Sequence, residues 1–127
     1  MVSVCFYFQV HQPYRLANYS VFDIGRHRNY YNHGRNKHEM AKIAKKCYLP
    51  TNNLLLDLIR ENPGFKISYS LSGVVIDQFE ELAPDVLASF QGLVDTGNVE
   101  MLDETYYHSL SFLYSKDEFV RQIKLHN

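Results

Sequence analysis

Tryptophan is absent from this 127-residue chain, and cysteine occurs only at Cys5 and Cys47. One pair of cysteines in a chain this long excludes a disulfide framework. Both thiols are expected to be free and buried, in a reducing compartment. Charge of one sign is also missing: 13 basic against 14 acidic residues leave a net charge of -1. That balance excludes the electrostatic footprint of a nucleic-acid or anionic-membrane binder, so neither partner is expected. No apolar run is long enough to span a bilayer. The run from Val2 has no basic leader and no small-residue cleavage site after it, so a cytoplasmic location is expected. No glycine-rich phosphate loop, nucleophile elbow or Cys/His nucleophile motif occurs, nor any internal repeat.

What is present suits one soluble domain with a real core: 46% of residues are apolar and 21% charged. Tyr and Phe are abundant, with 10 and 8 copies. Packing is their ordinary use, though tyrosines also suit surfaces that bind polar rings.

Residues 2–10, VSVCFYFQV, are nearly continuous apolar and predict a strand covered on both faces. Alternation places Val4, Phe6, Phe8 and Val10 on one face, and Cys5, Tyr7, Gln9 and His11 on the other. Pro13 ends the strand. Residues 14–36 are polar, lack periodicity and read as a long functional loop. A helix is predicted over 37–48. Pro50 opens a second, with Leu54, Leu55, Leu58 and Ile59 on its apolar face, stopped at Asn62-Pro63-Gly64.

FKISYSLSG, residues 65–73, predicts a second strand. Val75, Phe79, Leu82, Val86, Phe90 and Leu93 form a helical stripe interrupted at Pro84. Thr96-Gly97-Asn98 is a turn, and VEMLDETYY, 99–107, predicts a third strand. Ser115 to Glu118 has the capping-box pattern ahead of a last helix. The order is strand, helices, strand, helix, strand, helix. It predicts an α/β fold whose strands, within 3–11, 66–71 and 98–104, are parallel neighbours. Three strands of this kind leave open edges, so the chain is expected to be incomplete.

In parallel α/β folds ligands bind at the carboxyl ends of the strands. Here those ends carry His11-Gln12, Ser70 to Gly73, and Asp103 to His108. They are expected to converge on one rim, with His11 pointing inward beside Gln9 and Tyr7. The competing reading of His11 is a strand-capping histidine bonded to a backbone carbonyl. Asp103 and Glu104 read equally as a solvated strand end. As neighbours on a strand they diverge, which makes them a poor acid/base pair. His27, His33 and His38 lack the spacing of a zinc site. His11, Asp103 and His108 could hold a divalent ion only if they met. Arg26, His27, Arg28 and Arg35, interleaved with Tyr30 and Tyr31, read as a solvated basic loop.

The opening strand ending in His11-Gln12-Pro13 resembles the first conserved region of glycoside hydrolase family 57, the α-amylase and 4-α-glucanotransferase family. GNVEMLDETYYHSL, Gly97 to Leu110, resembles the second, with a SLSG strand end between them. The resemblance covers essentially the whole chain. It implies the N-terminal part of a (β/α)7 barrel of parallel strands, cytoplasmic in many members. It also implies a retaining enzyme on α-glucans or maltooligosaccharides, needing no metal or other cofactor.

The family's nucleophile Glu and acid/base Asp lie beyond the second region, so no catalytic residue is assigned within this chain. The resemblance assigns substrate binding to His11, Gln12, Tyr107 and His108. Their amide, imidazole and phenol groups match sugar hydroxyls. Two alternatives stay open. One is a metal-dependent, polysaccharide deacetylase-like enzyme, against which the His-Gln strand end counts because an Asp pair is wanted there. The other is a truncated, non-catalytic sugar-binding chain.

Overall fold

The computed structural model describes residues 2–26 and 30–126. The regular elements are β1 (Tyr7–Val10), α1 (His33–Ile43), α2 (Leu49–Glu61), β2 (Ile67–Leu71), α3 (Gly73–Leu82), α4 (Pro84–Val94), β3 (Val99–Met101) and α5 (Lys116–His126). Short 3-10 turns occupy Val21–Asp23 and Ser111–Leu113. The three strands form one parallel sheet in the order β1-β2-β3. Tyr7 is opposite Ser68, Gln9 opposite Ser70 and Val10 opposite Leu71, while Ser68 faces Glu100. This is the α/β arrangement that the alternation of elements predicts.

The period-2 pattern separates two chemically different faces. Phe8 and Val10 join Ile67, Tyr69 and Leu71 against α1 to α4. The stripe on α3 and α4 supplies the centre of that core: Val75, Phe79, Val86 and Leu93 have no exposed surface. Tyr69 and Tyr48 meet Phe90 and Phe79 edge-on, with ring centroids 5.3 Å apart in each case. Ala83, ahead of Pro84, leaves the helical region at φ -153° and ψ 61°, because a residue before proline avoids it. That break lets two short helices share one apolar stripe.

Several boundaries differ from the sequence expectation. β1 begins at Tyr7, and Val2 and Val4 are 93% and 74% exposed. The described residues provide only β2 as a partner for β1, and residues 2–6 ahead of it are exposed. Cys5 is therefore exposed rather than buried, and so is Cys47 on the outside of its helical turn. The long loop ends at Asn32, whose side chain caps α1 by accepting from the Arg35 N–H at 2.9 Å. α1 and α2 are joined without a break through a π-helical turn, Ala44–Tyr48. Pro50 lacks an N–H and would crowd a carbonyl one turn back, and the wider turn beside it accommodates this. The buried face of α2 is Asn52, Leu55 and Ile59, while Leu54 points to solvent at 60% exposure. Asn52 is tolerated there because its Nδ2 donates to Ser89 Oγ at 2.8 Å and its Oδ1 accepts from Tyr69. β3 is shorter than the expected 99–107, since the chain turns away after Leu102 bonds to Tyr69. Among the described residues no helix is long and apolar enough to cross a membrane.

Candidate functional site

The polar face of the sheet carries the site. Alternation turns Tyr7, Gln9 and His11 away from the helical core, beside Ser70 and Ser72 of the central strand and its end. Ser70 and Ser72 are almost wholly buried and still satisfied: Ser70 Oγ is 2.7 Å from Tyr7 OH, and Ser72 Oγ is 2.7 Å from His11 Nδ1. His11 thus bonds a serine hydroxyl, in place of the backbone carbonyl that its strand-capping reading requires.

Beyond β3 the chain folds back over this row. The His108 N–H bonds the Thr105 carbonyl at 2.8 Å, and His108 adopts φ +52°. A residue with a Cβ pays on the order of 1 kcal/mol for that conformation. The turn places the His108 ring against His11, with centroids 4.9 Å apart and planes at 42°. His108 Nδ1 lies 2.8 Å from Glu104 Oε2 and 2.7 Å from Gln9 Nε2, and Gln9 also donates to that carboxylate at 3.2 Å. The other oxygen, Glu104 Oε1, is buried without a partner. The result is a polar cluster tied to the ends of β1, β2 and β3.

Burial lowers the pKa of His11 from its ordinary 6.5, the nearby His108 adds to the effect, and Glu104 opposes it. The folded protein therefore resists protonating His11, while the unfolded chain does not. Stability should fall as pH drops through 6.5 and below. Thermal melts between about pH 7 and pH 5 check this. A His11→Gln variant is expected to lose less stability over that range, and equal losses would refute it.

Of the four expected substrate-binding residues, one pair meets and the other two go separate ways. His11 and His108 face one another. Gln12 instead reaches Tyr48 OH at 3.4 Å and accepts from Arg15 at 3.1 Å, while its carbonyl accepts from buried Gln78. Tyr107 stands edge-on to Tyr106 at 4.9 Å. Asp103 is exposed, whereas the Glu104 side chain keeps only 11% of its surface, so the two carboxylates diverge as neighbours on an extended chain must. Sequence alone places Gln9 beside His11 and Glu104 at a converging strand end, but it assigns neither of them a role in the site. Gln9 was legible from its parity with His11; Glu104 depends on a turn that no sequence period marks.

Among the described residues no group of three or more His, Cys, Asp and Glu side chains converges as a metal centre. His27 and Arg28 lie outside the described residues. Arg26 and Arg35 are exposed, but Arg35 sits in the first turn of α1 and not in the expected loop.

A putative alpha-amylase of Methanocaldococcus jannaschii is 44% identical over 97% of the chain, which spans 27% of that relative. The alpha-amylase of Pyrococcus abyssi is 28% identical over 68% of the chain and 12% of its own length. That of Pyrococcus horikoshii is 26% identical over 65% and 13%. The chain therefore spans about a quarter or less of these relatives. No solved structure matches it significantly. The profile of glycosyl hydrolase family 57 matches residues 5–127, so the chain belongs to that family.

Proposed function

We propose that this chain forms the substrate-holding part of a retaining enzyme that acts on α-glucans. In this reading the three parallel strands belong to a (β/α)7 barrel whose polar face lines the interior. The observation that carries the reading is the meeting of His11 and His108, from strand ends far apart in sequence. Family membership and relatives named alpha-amylase support the substrate class.

His11 and His108 orient a glucose unit through hydroxyl hydrogen bonds, with Gln12 and Tyr107 at the margins. Ser72, Gln9 and Glu104 hold the two imidazoles, so little ordering remains when sugar arrives. No step of this role uses a metal or other cofactor. The two exposed thiols suit the reducing cytoplasm in which such an enzyme would work.

Titration with maltotriose, followed by amide chemical shifts, tests the proposal. Shifts should centre on Gln9, His11 and His108. Each of His11→Ala and His108→Ala should weaken binding roughly fivefold, the scale of one lost hydrogen bond. Shifts confined to other surfaces, or none at all, would overturn it.

A further inference from the structure

A second set of side chains, close in sequence to His11 and His108, has no part in the role above. Tyr14 follows Pro13 and lies against Tyr31, with ring centroids 4.9 Å apart and planes at 36°. The two rings are brought together by a short antiparallel ribbon. Leu16 bridges Tyr31, Ala17 N–H bonds the Tyr30 carbonyl at 2.9 Å, and Asn32 N–H bonds the Arg15 carbonyl at 2.8 Å. Consecutive ribbon residues face opposite sides. Tyr30 accordingly stacks on Tyr19 on the far side, while Tyr31 turns toward Tyr14.

The near side continues toward the rim. Tyr106, two residues before His108, donates its hydroxyl to Asp77 Oδ2 at 2.5 Å. Asp77 and Glu81 lie one helical turn apart on α3. Burial and the carboxylates of Asp77 and Glu81, with Tyr31, hold the Tyr14 phenol above its ordinary value, so it remains a neutral donor. Aromatic faces flanked by carboxylates suit a neutral sugar: the C–H face of a pyranose lies on the ring, and its hydroxyls donate to the acids.

We propose that Tyr14 and Tyr31, with Asp77 and Tyr106, form an outer platform that takes a further glucose unit of an α-glucan held at His11 and His108. This rests on the α-glucan reading above and extends it to chain length. Tyr31 retains 44% exposure, enough to receive a sugar face.

The test compares maltose with maltoheptaose on the whole chain, followed by tyrosine ring and amide shifts. The chain should bind maltoheptaose the more tightly. Tyr31→Ala should reduce maltoheptaose affinity about tenfold, a difference of roughly 1.4 kcal/mol, and leave maltose unchanged. Tyr31→Phe should retain the wild-type affinity. Should Tyr31→Ala fail to fold, Tyr14→Leu removes the opposing ring and is read in the same way. Equal affinity for the two sugars, or equal loss for both in the variant, would overturn the platform while leaving the α-glucan reading intact. Binding of tetramethylammonium at these tyrosines in place of maltoheptaose would also overturn it, identifying a cation site. Binding of neither sugar would overturn the α-glucan reading and the platform together.

Discussion

Replacing Gly73 by alanine should destabilise the chain by about 1 to 3 kcal/mol, the range for forcing atoms into a filled site. A Cβ at Gly73 would lie 2.1 Å from Tyr106 Cδ2 and 2.3 Å from Cε2, where no real contact is possible. The ring has little freedom to withdraw. Its hydroxyl is bonded to Asp77, and its carbonyl accepts from the Val74 N–H at 3.1 Å. Gly73 also opens α3 directly after Ser72, the partner of His11. The clash would therefore reach the histidine pair as well as the helix. Denaturant unfolding measures the loss, and a double-mutant cycle with Tyr106→Ala assigns it. If the ring is the obstacle, Gly73→Ala should cost much less in the Tyr106→Ala background. Additive costs in the two backgrounds would show that the clash is not the cause.

Gly73 also marks the limit of what the sequence discloses. The parallel sheet follows from the alternation of strands and helices, and its division into an apolar and a polar face from residue alternation, because parity is local and burial enforces it. Phe8 with Val10, and Gln9 with His11, are placed by that rule alone. The stripe from Val75 to Leu93 is equally plain, including its interruption at Pro84. Features that depend on unmarked turns are not legible. The π turn before Pro50 has no distinctive period, and α1 starts in HGRN, which carries no apolar repeat. The close approach of Tyr106 to Gly73 joins residues 33 apart in sequence. Cys5 reads as buried because its neighbours are apolar, yet burial needs a covering surface, and none of the described residues provides it.

The site divides along the same line. His11 and Gln12 are adjacent, and their residue types suit a sugar equally well. Geometry separates them: the imidazole turns to Ser72 and His108, and the amide to Tyr48 and Arg15. Glu104 looks like an ordinary strand-end carboxylate until the backbone of His108 reverses at φ +52° and brings an imidazole onto it. A positive φ at a histidine is uncommon, and nothing in TYYHSL announces it.

Purified as these 127 residues, the chain should release no reducing ends from amylose or maltooligosaccharides above background. A retaining glycosidase holds two carboxyl groups about 5 to 5.5 Å apart across the scissile bond, one as nucleophile and one as acid/base. The carboxylates near His11 do not make such a pair. Asp103 is exposed. Glu104 uses Oε2 to hold His108 and Gln9, and its Oε1 is enclosed. Glu100 sits earlier on β3 and reaches Ser68 at 3.5 Å. A carboxylate fixed in this way can orient an imidazole, but it is not placed to attack an anomeric carbon. Weak sugar binding is then the activity expected of the chain, because the described polar face is lined on one side only. The measurement is a reducing-end assay over long incubation, with Glu104→Gln alongside. Silence from both, together with turnover by a longer chain that continues past Asn127, would support the assignment. Turnover by the 127 residues that disappears in Glu104→Gln would overturn it and make Glu104 a catalytic carboxylate.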